Sequence, residues 1–221
     1  MGWLSESLNS SIGKKFVMAI TGVALILFLI IHLAGNLTLY GGEEAFNSYV
    51  STLDVVKPVI RVIEVILLAV FVGHILNGIR LTIQNLGARP QKYAVNGSKT
   101  NTTIYSRTMI ITGSIVFIFL VMHLSTIWAA FNLSGSEVEH EYYKIVVDWF
   151  QNPVYALAYV ISVLLLGFHL NHGFQSAFQT FGWNHNKYFP FIKKLGTVYS
   201  LIMAIGFASI PIYFLFFYGG N

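Results

Sequence analysis

Long apolar runs alternate with short polar stretches along the whole of this 221-residue chain. About 20 mostly apolar residues suffice to cross the hydrocarbon core of a bilayer, and five stretches meet that length, at about 16–39, 59–83, 108–131, 153–178 and 195–218. Lipid offers the backbone no hydrogen-bond partners, so each span is expected to be helical. Pro58 and Pro153 fall at the starts of the second and fourth spans, where a missing N–H costs nothing. The pattern predicts an all-α membrane protein, a single domain over 1–221, with five transmembrane helices joined by short connections.

Within that pattern one passage is written twice. "MAITGVALILFLIIHL" (18–33) and "MIITGSIVFIFLVMHL" (109–124) align without a gap, and eight of sixteen positions are identical. Thr21 precedes His32 by eleven residues, as Thr112 precedes His123. The first and third spans run the same way, so this is a parallel repeat whose axis lies along the membrane normal. A weaker echo joins "GHILNG" in the second span to "GFHLNHG" in the fourth, with glycine four residues after each histidine, at Gly78 and Gly173. Gly35 and Asn36 stand in the corresponding place of the first span.

Composition supports the membrane reading: 55% of residues are hydrophobic and 10% charged, against about 25% charged in a soluble domain. The run from Phe16 to Tyr40 is too long for a signal sequence's apolar core and is expected to be retained. There is no cysteine, which excludes disulfides, thiolate metal sites, iron–sulfur ligation by this chain and c-type haem attachment. The pI near 9.2 does not indicate a nucleic-acid partner, because the basic residues lie between apolar spans. Lys14, Lys15, Arg80, Arg89, Lys92, Lys99, Arg107, Lys187, Lys193 and Lys194 fall on one side, and only Lys57, Arg61 and Lys144 on the other. The positive-inside rule then puts the N-terminus in the cytoplasm and the C-terminus outside. Most acids, including Glu43, Glu44, Asp54, Glu137, Glu139, Glu141 and Asp148, belong to the outer side.

Ionisable groups inside a bilayer are costly and call for a reason. Each of the first four spans carries one: His32, His74, His123 and His169, with His172 one turn from the last. At about 1.5 Å per residue, His32 and His123 lie roughly 24 Å from the cytoplasmic ends of their helices, and His74 and His169 roughly 10–16 Å from that edge. The repeat axis sets His32 opposite His123 and His74 opposite His169. A flat group gripped by two imidazoles fits such pairs, and haem held on both axial positions is the best candidate. Copper or zinc, a proton relay, and plain hydrogen-bonded packing are the alternatives these residues allow.

"SSIGKKFVMAITG", "GGEEAFNSY", "ARPQKYA", "SRTMIITG…HL" and "GFHLNHGFQSAFQTFGWNH", in this order, resemble the cytochrome b558 subunit of succinate dehydrogenases, the five-helix di-haem class also found in related fumarate reductases. The likeness runs from about residue 9 to the C-terminus. It implies a bacterial inner-membrane anchor with a flavoprotein and an iron–sulfur subunit docked on its cytoplasmic face. It implies two haem b groups, menaquinone as the usual quinone, and a possible higher oligomer of the complex. The family's four haem ligands fall on His32, His74, His123 and His169. Its pairing of first with third and second with fourth helix agrees with the depths above, and its pattern selects His169 over His172.

Around the inner pair, Arg80, Ser106 and Arg107 are candidates for haem propionates, with membrane anchoring as the plainer role. Thr21 and Thr112 point toward the same layer, or else bond only their own helices. Near the outer side Arg61 and Glu64, three residues apart, are expected to pair, as a quinone or proton site or simply as an interfacial ion pair. Expected electron flow runs from the iron–sulfur partner to the His74/His169 layer, then to His32/His123 and quinone, with the reverse direction, as in a quinol:fumarate reductase, the alternative. Two other classes fit the bare pattern: the di-haem subunit of another membrane dehydrogenase, and a haem-free anchor or transporter.

Overall fold

The computed structural model describes residues 2–88, 103–133 and 141–219. Arg89, Lys92, Lys99, Glu137 and Glu139, all named above, lie outside the described residues. No strand occurs among the described residues, and five helices are long and apolar enough to cross a membrane.

A short helix α1 (Trp3–Asn9) leads into the first span, α2 (Ser11–Asn36). Ser10 caps α2 by accepting from the Gly13 N–H at 3.0 Å, satisfying one of the donors a helix start leaves open. A 3₁₀ turn, Leu37–Gly41, delivers the chain to α3 (Gly42–Val55). Gly42 turns this corner with φ 83°, a conformation glycine adopts without a side-chain clash. The second span, α4 (Lys57–Gly87), carries Pro58 in its first turn. The third begins with α5 (Ile104–Arg107), continues as α6 (Met109–His123), passes through a π turn at Leu124–Trp128 and closes with α7 (Ala129–Leu133). Then follow α8 (Tyr142–Gln151), the fourth span α9 (Pro153–Thr180) and the fifth, α10 (Phe189–Phe216).

The expected spans are all present, with ends shifted by a few residues. Three helices were not anticipated: the short α1, and α3 and α8. α3 and α8 are amphipathic pieces too short or too polar to read as spans, and they pack on each other over the acidic end of the bundle. Tyr142 Oη donates to Asp54 Oδ2 at 2.9 Å, and the Tyr143 N–H donates to Asn47 Oδ1 at 2.9 Å. Phe131 meets Phe46 and Tyr142 edge to face, and Phe46 lies tilted against Tyr143.

The most closely packed pair is α9 with α10. A Cβ added at Gly167 would stand 2.8 Å from Ala204 Cβ, and one at Gly196 2.8 Å from the Phe174 ring. Small residues let membrane helices approach this closely, and the contact area then comes from dispersion. α2 lies against α9 and α4, and α6 lies against α9. α4 has no fully buried residue and touches α6 only sparsely, so the seam between the second and third spans is the bundle's open side. The fifth span, which has no histidine, backs the bundle: Tyr199 Oη donates to the Ile26 carbonyl at 2.9 Å, and a Cβ at Gly206 would meet Leu33.

Candidate functional site

The antiparallel succession of spans brings the four histidines together as two pairs. His32 and His123 rings stand 5.9 Å apart between centroids, at an interplanar angle of 80°. His74 and His169 stand 6.4 Å apart at 69°. Among the described residues it is His169, not His172, whose ring meets His74.

The outer pair is walled by aromatic rings. Phe28 stacks on His32 at 5.0 Å, and Phe119 stacks on His123 at 5.9 Å. Each phenylalanine lies four residues before its histidine, on the same helix face, and both are among the repeat's identities. Phe207 of the fifth span lies 5.7 Å from His32, and Tyr159 lies 6.2 Å from His123. His123 Nδ1 is buried without a hydrogen-bond partner. A buried polar atom left unpaired is costly and asks for an explanation.

Polar groups surround the inner pair instead. Thr21 Oγ1 is 3.0 Å from His74 Nδ1 and 2.8 Å from the Val17 carbonyl. Thr112 Oγ1 is 3.4 Å from His169 Nδ1 and 3.1 Å from the Thr108 carbonyl. The two roles considered for these threonines therefore coexist. Beside them, a Cβ at Gly22 would lie 3.6 Å from His74 Cε1, and one at Gly113 3.3 Å from His169 Cε1.

Those are not the glycines singled out by their spacing from the histidines. The space beside Gly78 is taken by Met18 and that beside Gly35 by Tyr49, whereas Gly173 faces open space. The glycines that approach the inner rings lie on the neighbouring helix, not on the histidine's own.

The remaining candidates sit at the ends of the bundle. Arg80 Nη2 donates to Asn9 Oδ1 at 3.0 Å, tying α4 to the N-terminal helix. Buried Lys14 donates to Gln84 Oε1 at 2.9 Å, and Asn77 donates to the Lys14 carbonyl at 2.8 Å. Ser106 is engaged in the start of the third span: its N–H bonds Thr103 Oγ1 and its hydroxyl donates to the Thr103 carbonyl. Arg107 closes the same short helix. At the opposite end Arg61 and Glu64 form the expected ion pair at 2.7 Å. Trp128 Nε1, in the π turn after His123, donates to the other Glu64 oxygen at 2.9 Å. Nothing in the spacing foretold that tryptophan, because the π turn shifts the helix register there.

No cluster of three or more His, Cys, Asp or Glu suited to a metal occurs among the described residues. What is present is two donors per site. A metal bound by two imidazole nitrogens at about 2 Å each separates the ring centres by about 6 Å, close to both observed pairs. Two protein donors leave the other coordination positions to be filled by something else, as a porphyrin does. The residues thus fit a haem at each level, and suit copper or zinc poorly.

A family model described as the succinate dehydrogenase/fumarate reductase transmembrane subunit matches residues 16–101 and 88–210. The chain belongs to that family. A hydrophobic membrane anchor subunit of succinate dehydrogenase from Halobacterium salinarum is 35% identical over 96 residues, covering 43% of this chain and 67% of the relative. No solved structure matches. As a member of the succinate dehydrogenase/fumarate reductase family, the chain is a membrane anchor subunit, and anchoring implies association with the catalytic subunits of such a complex.

Proposed function

We propose that this anchor is the di-haem cytochrome b of a bacterial succinate:quinone oxidoreductase, with one haem b held by His74 and His169 and the other by His32 and His123. The observation that carries the reading is the pair of facing imidazole couples, 5.9 and 6.4 Å apart, in a chain of this family. Bound there, the haems supply one-electron carriage between an iron–sulfur subunit and menaquinone.

The chain's own residues contribute position and medium. Four helices hold the imidazoles at two depths, so the sites divide the membrane thickness between them. Phe28, Phe119, Tyr159 and Phe207 keep the outer site dry, which strengthens electrostatic interactions there. The basic end, with Lys14 and Arg80, faces the cytoplasm on the loop-charge bias and is the side on which flavoprotein and iron–sulfur partners dock. Ligand identity, burial and hydrogen bonding are the means by which the protein tunes such a group.

The test is a dithionite-reduced minus oxidised spectrum of the purified protein, with a haem-to-protein ratio. A b-type α-band and two haems per chain are expected. A spectrum without that band would refute the assignment while leaving family membership intact.

A further inference from the structure

We infer that the twice-written Thr–Gly dipeptide is a positioning device for the inner histidines, each copy serving the helix that follows its own. Thr21–Gly22 on α2 holds His74 of α4, and Thr112–Gly113 on α6 holds His169 of α9. This rests on the haem reading above and adds a role for residues which that reading does not use.

A threonine hydroxyl has one hydrogen and two lone pairs. At Thr21 the oxygen lies 2.8 Å from the Val17 carbonyl and 3.1 Å from the Met18 carbonyl, and carbonyls can only accept. The single hydroxyl hydrogen is therefore committed to the backbone. The 3.0 Å contact with His74 Nδ1 is then satisfied with the ring donating, Nδ1–H to Oγ1. A proton fixed on Nδ1 leaves Nε2 with its lone pair, the form in which imidazole binds a metal. Thr112 repeats the arrangement, with carbonyls at 3.1 and 3.2 Å and His169 Nδ1 at 3.4 Å, a longer and weaker bond.

Glycine at the next position makes room for the ring. A methyl at 113 would press on His169 Cε1 at 3.3 Å and displace the imidazole by a few tenths of an ångström, whereas one at 22 would make ordinary contact with His74 at 3.6 Å. Among the described residues, neither outer ring donates a hydrogen bond of this kind, and His123 Nδ1 is unpaired. The repeat unit thus acts at both depths: its Thr–Gly reaches the inner histidine of the next span, and its Phe stacks on the outer histidine of its own.

A hydrogen-bond acceptor on Nδ1–H raises the ligand's basicity and favours the oxidised metal. Thr21→Val, nearly isosteric, is expected to raise the midpoint potential of one haem and leave the other unchanged. The expected change is about threefold to tenfold in the oxidation equilibrium, or ~30–60 mV at 59 mV per decade for one electron. Thr112→Val should move the same haem by less, and Thr21→Ser should restore the wild-type value. Gly113→Ala should alter the ferric EPR signal of that haem more than Gly22→Ala does. The experiment is a redox titration with both haems resolved, alongside those spectra, on the purified complex. Loss of only one haem in Thr21→Val, with Thr21→Ser intact, would support the inference equally. With wild-type haems present, unchanged potentials in Thr21→Val, an equal shift of both haems, or failure of serine to restore would overturn it. Absence of haem from the wild type would instead sink the underlying assignment.

Discussion

Replacing Gly167 by alanine would press a methyl group into the crossing of α9 and α10. The new carbon would stand 2.8 Å from Ala204 Cβ and 3.4 Å from the Ser200 carbonyl oxygen. Carbon atoms in contact prefer about 3.5–4.0 Å, so the helices would have to part by up to about an ångström. Such overpacking ordinarily costs about 1–3 kcal/mol. Against it stands the helix propensity gained on replacing glycine with alanine, about 0.8–1.0 kcal/mol. Gly73→Ala, in the middle of α4, isolates the second effect, because nothing lies within 4 Å of the added atom. The two variants should therefore differ by ~1–3 kcal/mol, with Gly73→Ala the more stable. Equilibrium unfolding in mixed micelles with rising SDS, followed by tryptophan fluorescence, measures this difference. Equal stabilities would refute the claim that backbone-close packing of α9 on α10 fixes the wall behind the histidines.

His169→Ala should lose about half of the b-type absorbance, one haem of two, whereas His172→Ala should keep both; haem quantification of each purified variant decides between them. Tyr143 gives the acidic end a pH dependence. Burial, with Tyr218, Tyr213 and the Glu43 carboxylate nearby, pushes its hydroxyl up to about 12. The folded form keeps that proton where the unfolded chain, with an ordinary value of about 10, releases it. Its contribution to stability is thus complete below pH 10 and falls as pH rises from 10 to 12. Tyr143→Phe should flatten the stability profile over this interval in pH-dependent unfolding scans, and an unaltered slope would count against the burial of that hydroxyl.

Five spans, their direction relative to one another and the four histidines were legible because each signal is local. Twenty apolar residues need no partner to declare themselves, and an imidazole among them is conspicuous. Pairing was legible too, because alternate helices run in opposite directions and depth follows from counting residues. The exchange between helices was not. Thr21 and Thr112 could be placed at the inner layer by counting residues, but not matched to the ring each one meets, His74 for Thr21 and His169 for Thr112. Spacing within a helix carries no record of which neighbour lies across the gap. The same limit hid Phe207 against His32, Trp128 on Glu64, and the cover formed by α3 and α8.

Hydropathy and charge alone thus determined a membrane-spanning helical chain with ionisable groups at two levels, since transfer from water to lipid acts on each segment separately. Which side chains touch depends on helix rotation, tilt and closest approach. Those were decided only when the helices packed, by contacts between residues far apart in sequence.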